Sequence, residues 1–206
     1  MSFERIENHL FRILIPFEDL TTTVYVAIYE EGVAIIDSAT YPSDVDTYIL
    51  PSLEEMGLDF SKVRFLLLTH RHGDHAGGIG RLSECFAGAR VGAFPNPDHP
   101  ERKQLADGEI LLGGLQVLYL PGHCKDSIGF LDLQTKTLLS GDCLQLKGIG
   151  KYRNGVKFRD AYEESVNRLK KMDIARIVAA HEYDPLGSLA EGKEAVNAYL
   201  DACLRF

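Results

Sequence analysis

The sequence predicts an α/β protein whose strands end in metal-binding side chains, and three observations predict it. Runs rich in β-branched and aromatic residues alternate with stretches of helical apolar spacing along the chain. Beyond the opening strands, four of the apolar runs stop directly at, or one turn short of, a histidine or an aspartate. The first of these ends is Thr69-His70-Arg71-His72-Gly73-Asp74-His75-Ala76-Gly77-Gly78, with four potential ligands in six residues.

Taken in order, Phe11 to Pro16 and Thr22 to Tyr29 read as strands, with Phe17-Glu18-Asp19-Leu20 as a hairpin loop between them. Glu30-Glu31-Gly32 turns the chain into a third strand, Val33 to Asp37, so the opening is a β-meander. Ser43-Asp44 has the character of a helix start, and Val45 to Met56 carries helical spacing, with Pro51 as a break or kink and Gly57 as the stop. Val63 to Thr69 is the strand that feeds the histidine loop, and Gly77 to Phe86 is the helix that leaves it. Arg90 to Phe94 is a short strand, followed by a polar loop, Pro95 to Lys103. His99 in that loop and His9 near the start read as solvent-facing.

Leu115 to Leu120 is a strand that runs into Pro121-Gly122-His123-Cys124. Ile128 to Leu133 and Thr137 to Ser140 form a hairpin about Gln134-Thr135-Lys136, and the second strand ends in Gly141-Asp142. An amphipathic helix spans Phe158 to Met172, with Ala161, Val166, Leu169 and Met172 as its apolar face. Ala175 to Ala180 is a strand ending in His181-Glu182-Tyr183, and Ala190 to Leu204 is a closing helix. No internal repeat or low-complexity linker interrupts residues 1–206, so a single domain is expected.

Composition narrows the function. A chain of 206 residues with 45% hydrophobic content can bury a sizeable core, and a formal charge of −8 without a basic block argues against nucleic acid or an anionic membrane as partner. The first twenty or so residues lack the pattern of a secretion signal and no apolar run is long enough to span a bilayer, so a cytoplasmic protein is expected. Cys85, Cys124, Cys143 and Cys203 have neither metal-knuckle nor redox spacing. They read as core thiols, Cys124 and Cys143 each adjoining a candidate ligand.

The histidine loop carries the chemistry. In extended backbone His70 and His72 project to the same side. Gly73 then lets the chain turn so that Asp74 and His75 approach the same volume. Imidazole and carboxylate together suit a borderline cation such as zinc. His123, Asp142 and His181 each follow another strand, and strand ends gathered at one edge are a common place for a site in α/β proteins. Asp37, also at a strand end, stands where it could orient a ligand from behind.

The ordered set His70-x-His72-x-Asp74-His75, Pro121-Gly122-His123, Ser140-Gly141-Asp142 and His181, with Asp37 ahead of it, resembles the metallo-β-lactamase superfamily. The resemblance implies a four-layer αββα sandwich, two facing mixed sheets with helices outside. It implies two divalent metal ions, zinc first, with iron or manganese as alternatives. His70, His72 and His123 would hold one ion, and Asp74, His75 and His181 the other. Asp142 would bridge them, and Asp74 would act in catalysis by orienting a metal-bridging hydroxide.

Within that family, Asp142 stands where true β-lactamases generally lack a bridging aspartate, and Cys143-Leu144-Gln145 follows where quorum-signal lactonases tend to carry a tyrosine. His181-Glu182-Tyr183 is similar to the matching stretch of glyoxalase II (hydroxyacylglutathione hydrolase), which has a further C-terminal helical region. The expected activity is therefore hydrolysis of an ester-like bond, above all a thioester, in a small and sometimes anionic molecule. The alternatives are a mononuclear non-haem iron persulfide dioxygenase, and a lactonase or phosphoesterase. A homodimer is left open. Lys147 to Lys157 is glycine-rich and basic, and Lys151, Tyr152 and Arg153 are the candidate substrate contacts within it.

Overall fold

The computed structural model describes residues 1–18, 20–145, 157–182 and 186–205. The chain divides into two compact units, Met1–Leu105 and Ala106–Phe206, and each is built on one mixed sheet. Among the described residues no helix is long and apolar enough to cross a membrane.

In the first unit the strands are β1 (Glu4–Glu7), β2 (Leu10–Phe17), β3 (Leu20–Tyr29), β4 (Gly32–Ile36), β5 (Val63–Leu67), β6 (Arg90–Ala93) and β7 (Lys103–Gln104), and they lie side by side in that order. The first four form an antiparallel meander, and Phe17 pairs with Leu20 where β2 turns into β3. From β4 onward the pairs are parallel, because the chain is carried back each time before the next strand begins.

The predicted helix over 45–56 is three pieces: α1 (Pro42–Asp44), a π-turn (Val45–Ile49) and α2 (Leu50–Glu55). Pro51 is the physical reason. Its ring would strike the carbonyl four residues back, and it has no N–H to give that carbonyl. The turn ahead of it widens, with Leu50 N–H reaching the Val45 carbonyl instead. A short 3₁₀ turn (Phe60–Lys62), whose N-cap Asp59 accepts from Ser61 N–H, leads into β5. The unit's core gathers Ile13, Ile15, Val24, Val26, Val33 and Ile35 with Val45, Ile49 and Leu53 of the helical segment.

The helix expected from Gly77 begins earlier, as α3 (Gly73–Ala76), and resumes as α4 (Ile79–Cys85). Gly73 therefore opens a helical turn, and its φ is not positive. His9 and His99 are half-buried: His9 lies edge-on to Tyr29 at 5.4 Å, and His99 pairs with Glu101 at 3.1 Å.

In the second unit β8 (Ile110–Leu111), β9 (Leu115–Tyr119), β10 (Ile128–Asp132), β11 (Thr137–Gly141), β12 (Arg176–Ala179) and β13 (Leu189–Glu191) form a six-stranded sheet in that order. Among the described residues only β11 and β12 pair in parallel here, and α5 (Arg159–Leu169) lies between them in sequence. The predicted β10–β11 hairpin is present, with Asp132 opposite Thr137. The closing helix is α6 (Lys193–Cys203). The residues assigned to its start belong to β13, whose Leu189 and Ala190 pair with Val178 and Ile177. Tyr162, Val166 and Leu169 of α5 meet Val196, Tyr199, Leu200 and Cys203 of α6 in this unit's core.

Candidate metal centre

In the first unit the donors stand just past β5. The backbone at His72 is extended, with φ −65° and ψ 150°, and then enters α3. Ligand atoms of His70 lie within 4.8 Å of one on His72 and of one on His75, and the same holds for Asp74 and His75. The His70 ring is 4.7 Å from that of His72 and 4.3 Å from that of His75. The structure thus brings His70 beside both His72 and His75, and Asp74 beside His75, the last two carried on a helical turn.

Asp37 locks this group from behind. Its Oδ1 accepts the Thr69 N–H at 2.8 Å, and its Oδ2 accepts the Thr69 hydroxyl at 2.8 Å. The same Oδ2 lies 2.7 Å from His75 Nδ1. A carboxylate only accepts, so His75 carries its proton on Nδ1 and keeps its lone pair on Nε2. Thr69 has already spent its hydroxyl proton on Asp37, so at 3.1 Å it accepts from His70 Nδ1. Nε2 of His70 is thereby also the lone-pair nitrogen. Both imidazoles are set in the tautomer a metal requires.

Backbone conformation holds Asp37 in place. It follows β4 at φ 63°, with Ala39 at φ 60°, left-handed conformations that side-chain-bearing residues seldom adopt. This sharp turn lets Ser38 donate both its N–H (2.7 Å) and its hydroxyl (2.9 Å) to the His75 carbonyl. Glycines permit the approach: a Cβ at Gly77 would stand 1.8 Å from the Thr40 oxygen, and one at Gly78 would stand 2.2 Å from that of Ser38. From β3, buried Thr22 donates to the Asp74 carbonyl at 3.0 Å.

The second unit presents its own donors at the ends of β9, β11 and β12. The carboxylate of Asp142 lies between two imidazoles, with Oδ2 3.4 Å from His123 Nε2 and Oδ1 3.1 Å from His181 Nε2. All three residues are buried. Gly122, at φ 150°, makes the turn into His123, and Gly141, at φ 51°, makes the turn into Asp142. Cys124 is buried beside His123, with ligand atoms of the two within 4.8 Å.

These distances fit a metal. Two ligands on one tetrahedral zinc, each about 2.0–2.1 Å from the ion, stand about 3.3 Å apart. The separations within the second unit are 3.4 and 3.1 Å, and in the first unit Asp74 Oδ2 stands 3.4 Å from His75 Nε2. Each carboxylate–imidazole pair thus has the spacing of neighbouring ligands.

Lys151, Tyr152 and Arg153 lie outside the described residues. Sequence reasoning missed Thr69, the relay between Asp37 and His70, and Tyr162, which lies behind the second set of donors. Thr69 directly precedes His70 and carries a hydroxyl, which was the available signal.

A model of the metallo-β-lactamase superfamily matches residues 18–86. The chain is 29% identical over 161 residues to a hydroxyacylglutathione hydrolase of Francisella philomiragia, an alignment covering 76% of this chain and 61% of that protein. It is 29% identical over 150 residues to the uncharacterized protein YobT of Bacillus subtilis, covering 60% of this chain and 62% of YobT. The matched stretch thus spans about three-fifths of the length of these relatives. Among solved structures, the metallo-β-lactamase family protein TTHA1429 of Thermus thermophilus superposes with a TM-score of 0.73 at 21% identity, over 97% of this chain and 79% of that one. DIM-1 metallo-β-lactamase superposes with a TM-score of 0.78 at 16% identity, over 98% and 96%. Residues 18–86 thus match the metallo-β-lactamase superfamily by sequence, and over nearly its whole length the chain shares the fold of metallo-β-lactamase proteins.

Proposed function

We propose that this protein is a metal-dependent hydrolase of a small-molecule ester-like bond, a thioester first, working with two divalent ions. The observation that carries the reading is the Asp142 carboxylate, which offers one oxygen to each of two imidazoles at ligand spacing. A carboxylate so placed suits a bridge between two cations. His70, His72 and His123 would hold one ion, Asp74, His75 and His181 the other, with zinc the first choice for this donor set.

Bound there, such ions acidify a water towards neutrality and polarise a carbonyl oxygen. The chain's own residues supply the rest. Asp37 and Thr69 hold the Nδ1 protons of His75 and His70, so in each neutral ring the lone pair lies on Nε2. Asp74 is the least buried carboxylate of the donor set, its side chain 15% exposed. It is placed to orient the attacking water and accept its proton. No side-chain nucleophile is required. The likeness to hydroxyacylglutathione hydrolase supports a thioester over a β-lactam or lactone.

The test pairs metal analysis with a substrate panel of thioesters, lactones, phosphoesters and persulfides. About two zincs per chain with thioester turnover is the expected result. One iron per chain with oxygen uptake on a persulfide would replace this reading with a dioxygenase. A protein that neither contains nor takes up a transition metal would end it.

A further inference from the structure

Tyr162, fully buried on α5, reaches two of the ligand-bearing turns of the second unit at once. Its hydroxyl accepts the Gln145 N–H and donates to the Gln145 carbonyl, each at 2.8 Å. Gln145 closes the turn after β11, its side-chain amide donating to the Asp142 carbonyl at 3.3 Å. On its other side Tyr162 fills the space that a side chain at Gly122 would need. An ideal Cβ at Gly122 would stand 2.5 Å from the Tyr162 Cβ and 2.6 Å from its Cα. Gly122 directly precedes His123, and its carbonyl accepts the N–H groups of Lys157 and Phe158 at the start of α5, at 3.0 and 2.9 Å. One turn further on, the Ser165 hydroxyl donates to the Pro121 carbonyl at 2.8 Å.

Helix α6 backs the same group. Cys203 is in hydrogen-bonding contact with the Tyr162 hydroxyl. Tyr199 donates to the Gly187 carbonyl at 3.4 Å, in the segment that follows His181. Burial raises the phenol pKa of both tyrosines, so the Tyr162 hydroxyl keeps the proton it gives to Gln145.

We infer that Tyr162 is a positioning residue for the metal donors His123 and Asp142, one phenol tying the turn before the first to the turn after the second. The inference rests on the metal-hydrolase reading above. Without the hydroxyl, the Gln145 N–H and carbonyl each lose the bond to Tyr162, the N–H keeping only its contact with the Cys203 sulfur, and the turn loses its tie to α5. Asp142 lies three residues away on that turn, so its spacing to His123 and His181 moves with it.

Tyr162→Phe keeps the ring against Gly122 and removes only the hydroxyl. Its zinc dissociation constant, read by chelator competition, is expected to rise 10- to 100-fold, the usual effect of losing a group behind a ligand. The visible absorption of the cobalt-substituted protein should change with it. Val166→Ala, on the same helix, controls for loss of packing and should bind zinc as the unaltered protein does. Zinc affinity and cobalt spectrum unchanged in Tyr162→Phe would overturn the inference, and so would an equal loss in Val166→Ala. Amide hydrogen exchange at Gln145 in the metal-free protein separates the two ideas. If the unaltered protein bound no metal, the hydrolase reading would fall. Faster exchange in Tyr162→Phe would still support the tie, and an unchanged rate would refute it.

Discussion

Asp37 Oδ2 lies 2.7 Å from His75 Nδ1, with both side chains fully buried and the two residues 38 positions apart in sequence. The same carboxylate accepts twice from Thr69, so three donors converge on one group. Asp37→Ala leaves all three inside the protein without it. Unfolding free energy should fall by about 3 kcal/mol, and zinc affinity by about 10- to 100-fold. Asp37→Asn, with a single acceptor oxygen, should recover only part of either. Urea unfolding and zinc titration read the two effects; an Asp37→Ala protein matching the original in both would remove the anchoring role.

Asp142→Ala takes away the oxygens that stand opposite both His123 and His181. Metal content after dialysis should drop from about two ions per chain to one or fewer, and turnover should fall to background, since removing a group that acts on the reacting charge costs roughly a hundredfold or more. Retention of both ions at a normal rate would contradict the bridge.

Gly77→Ala tests the close approach of residues 38–40 to the α3–α4 junction. The added methyl would stand 1.8 Å from the Thr40 oxygen, a backbone atom, so the loop carrying Asp37 must shift. A loss of about 1–3 kcal/mol is expected, together with weaker zinc binding because His75 loses its setting. Gly80→Ala is the control, since a Cβ there meets nothing within 4 Å.

Alkaline stability is set in part by α6. Burial pushes the Cys203 thiol from an ordinary 9.0 up to about 12. Above pH 9 the unfolded chain sheds this proton while the native chain keeps it. The contribution is therefore whole below pH 9 and is lost as pH climbs towards 12. The slope is at most about 1.4 kcal/mol per pH unit. Tyr162 and Tyr199, both raised from 10.0, act in the same direction at higher pH. Urea midpoints taken between about pH 8 and about pH 10 should fall, and should fall less steeply in Cys203→Ala.

Much of this was legible in the chain because donors follow apolar runs. His70, His123, Asp142 and His181 could be placed at strand ends from hydrophobic pattern alone, and Asp37 as well. Three strands that run two or three residues, β7, β8 and β13, were not legible, since so short a run has no period to read. The Val45–Met56 pattern gave a helix but not its π-turn, which arises from Pro51 acting on a carbonyl rather than from spacing. The apolar face assigned to α5 missed Tyr162 and Ser165, both buried. A tyrosine and a serine look amphipathic in sequence. Only tertiary contact with Pro121, Gly122 and Gln145 shows what their hydroxyls do.

The parallel pairing of β4 with β5 has a consequence for making the protein in the laboratory. Asp37 N–H bonds to the Leu67 carbonyl at 2.8 Å, so the partner of His75 arrives only when two strands separated by a helical crossover have docked. Such non-local pairing forms slowly. Until then His70, His72 and His75 are loose imidazoles that can chelate a cation in any tautomer, and binding to that state works against folding. Refolding in the presence of chelator, with zinc added afterwards, should therefore return more active material than refolding in zinc.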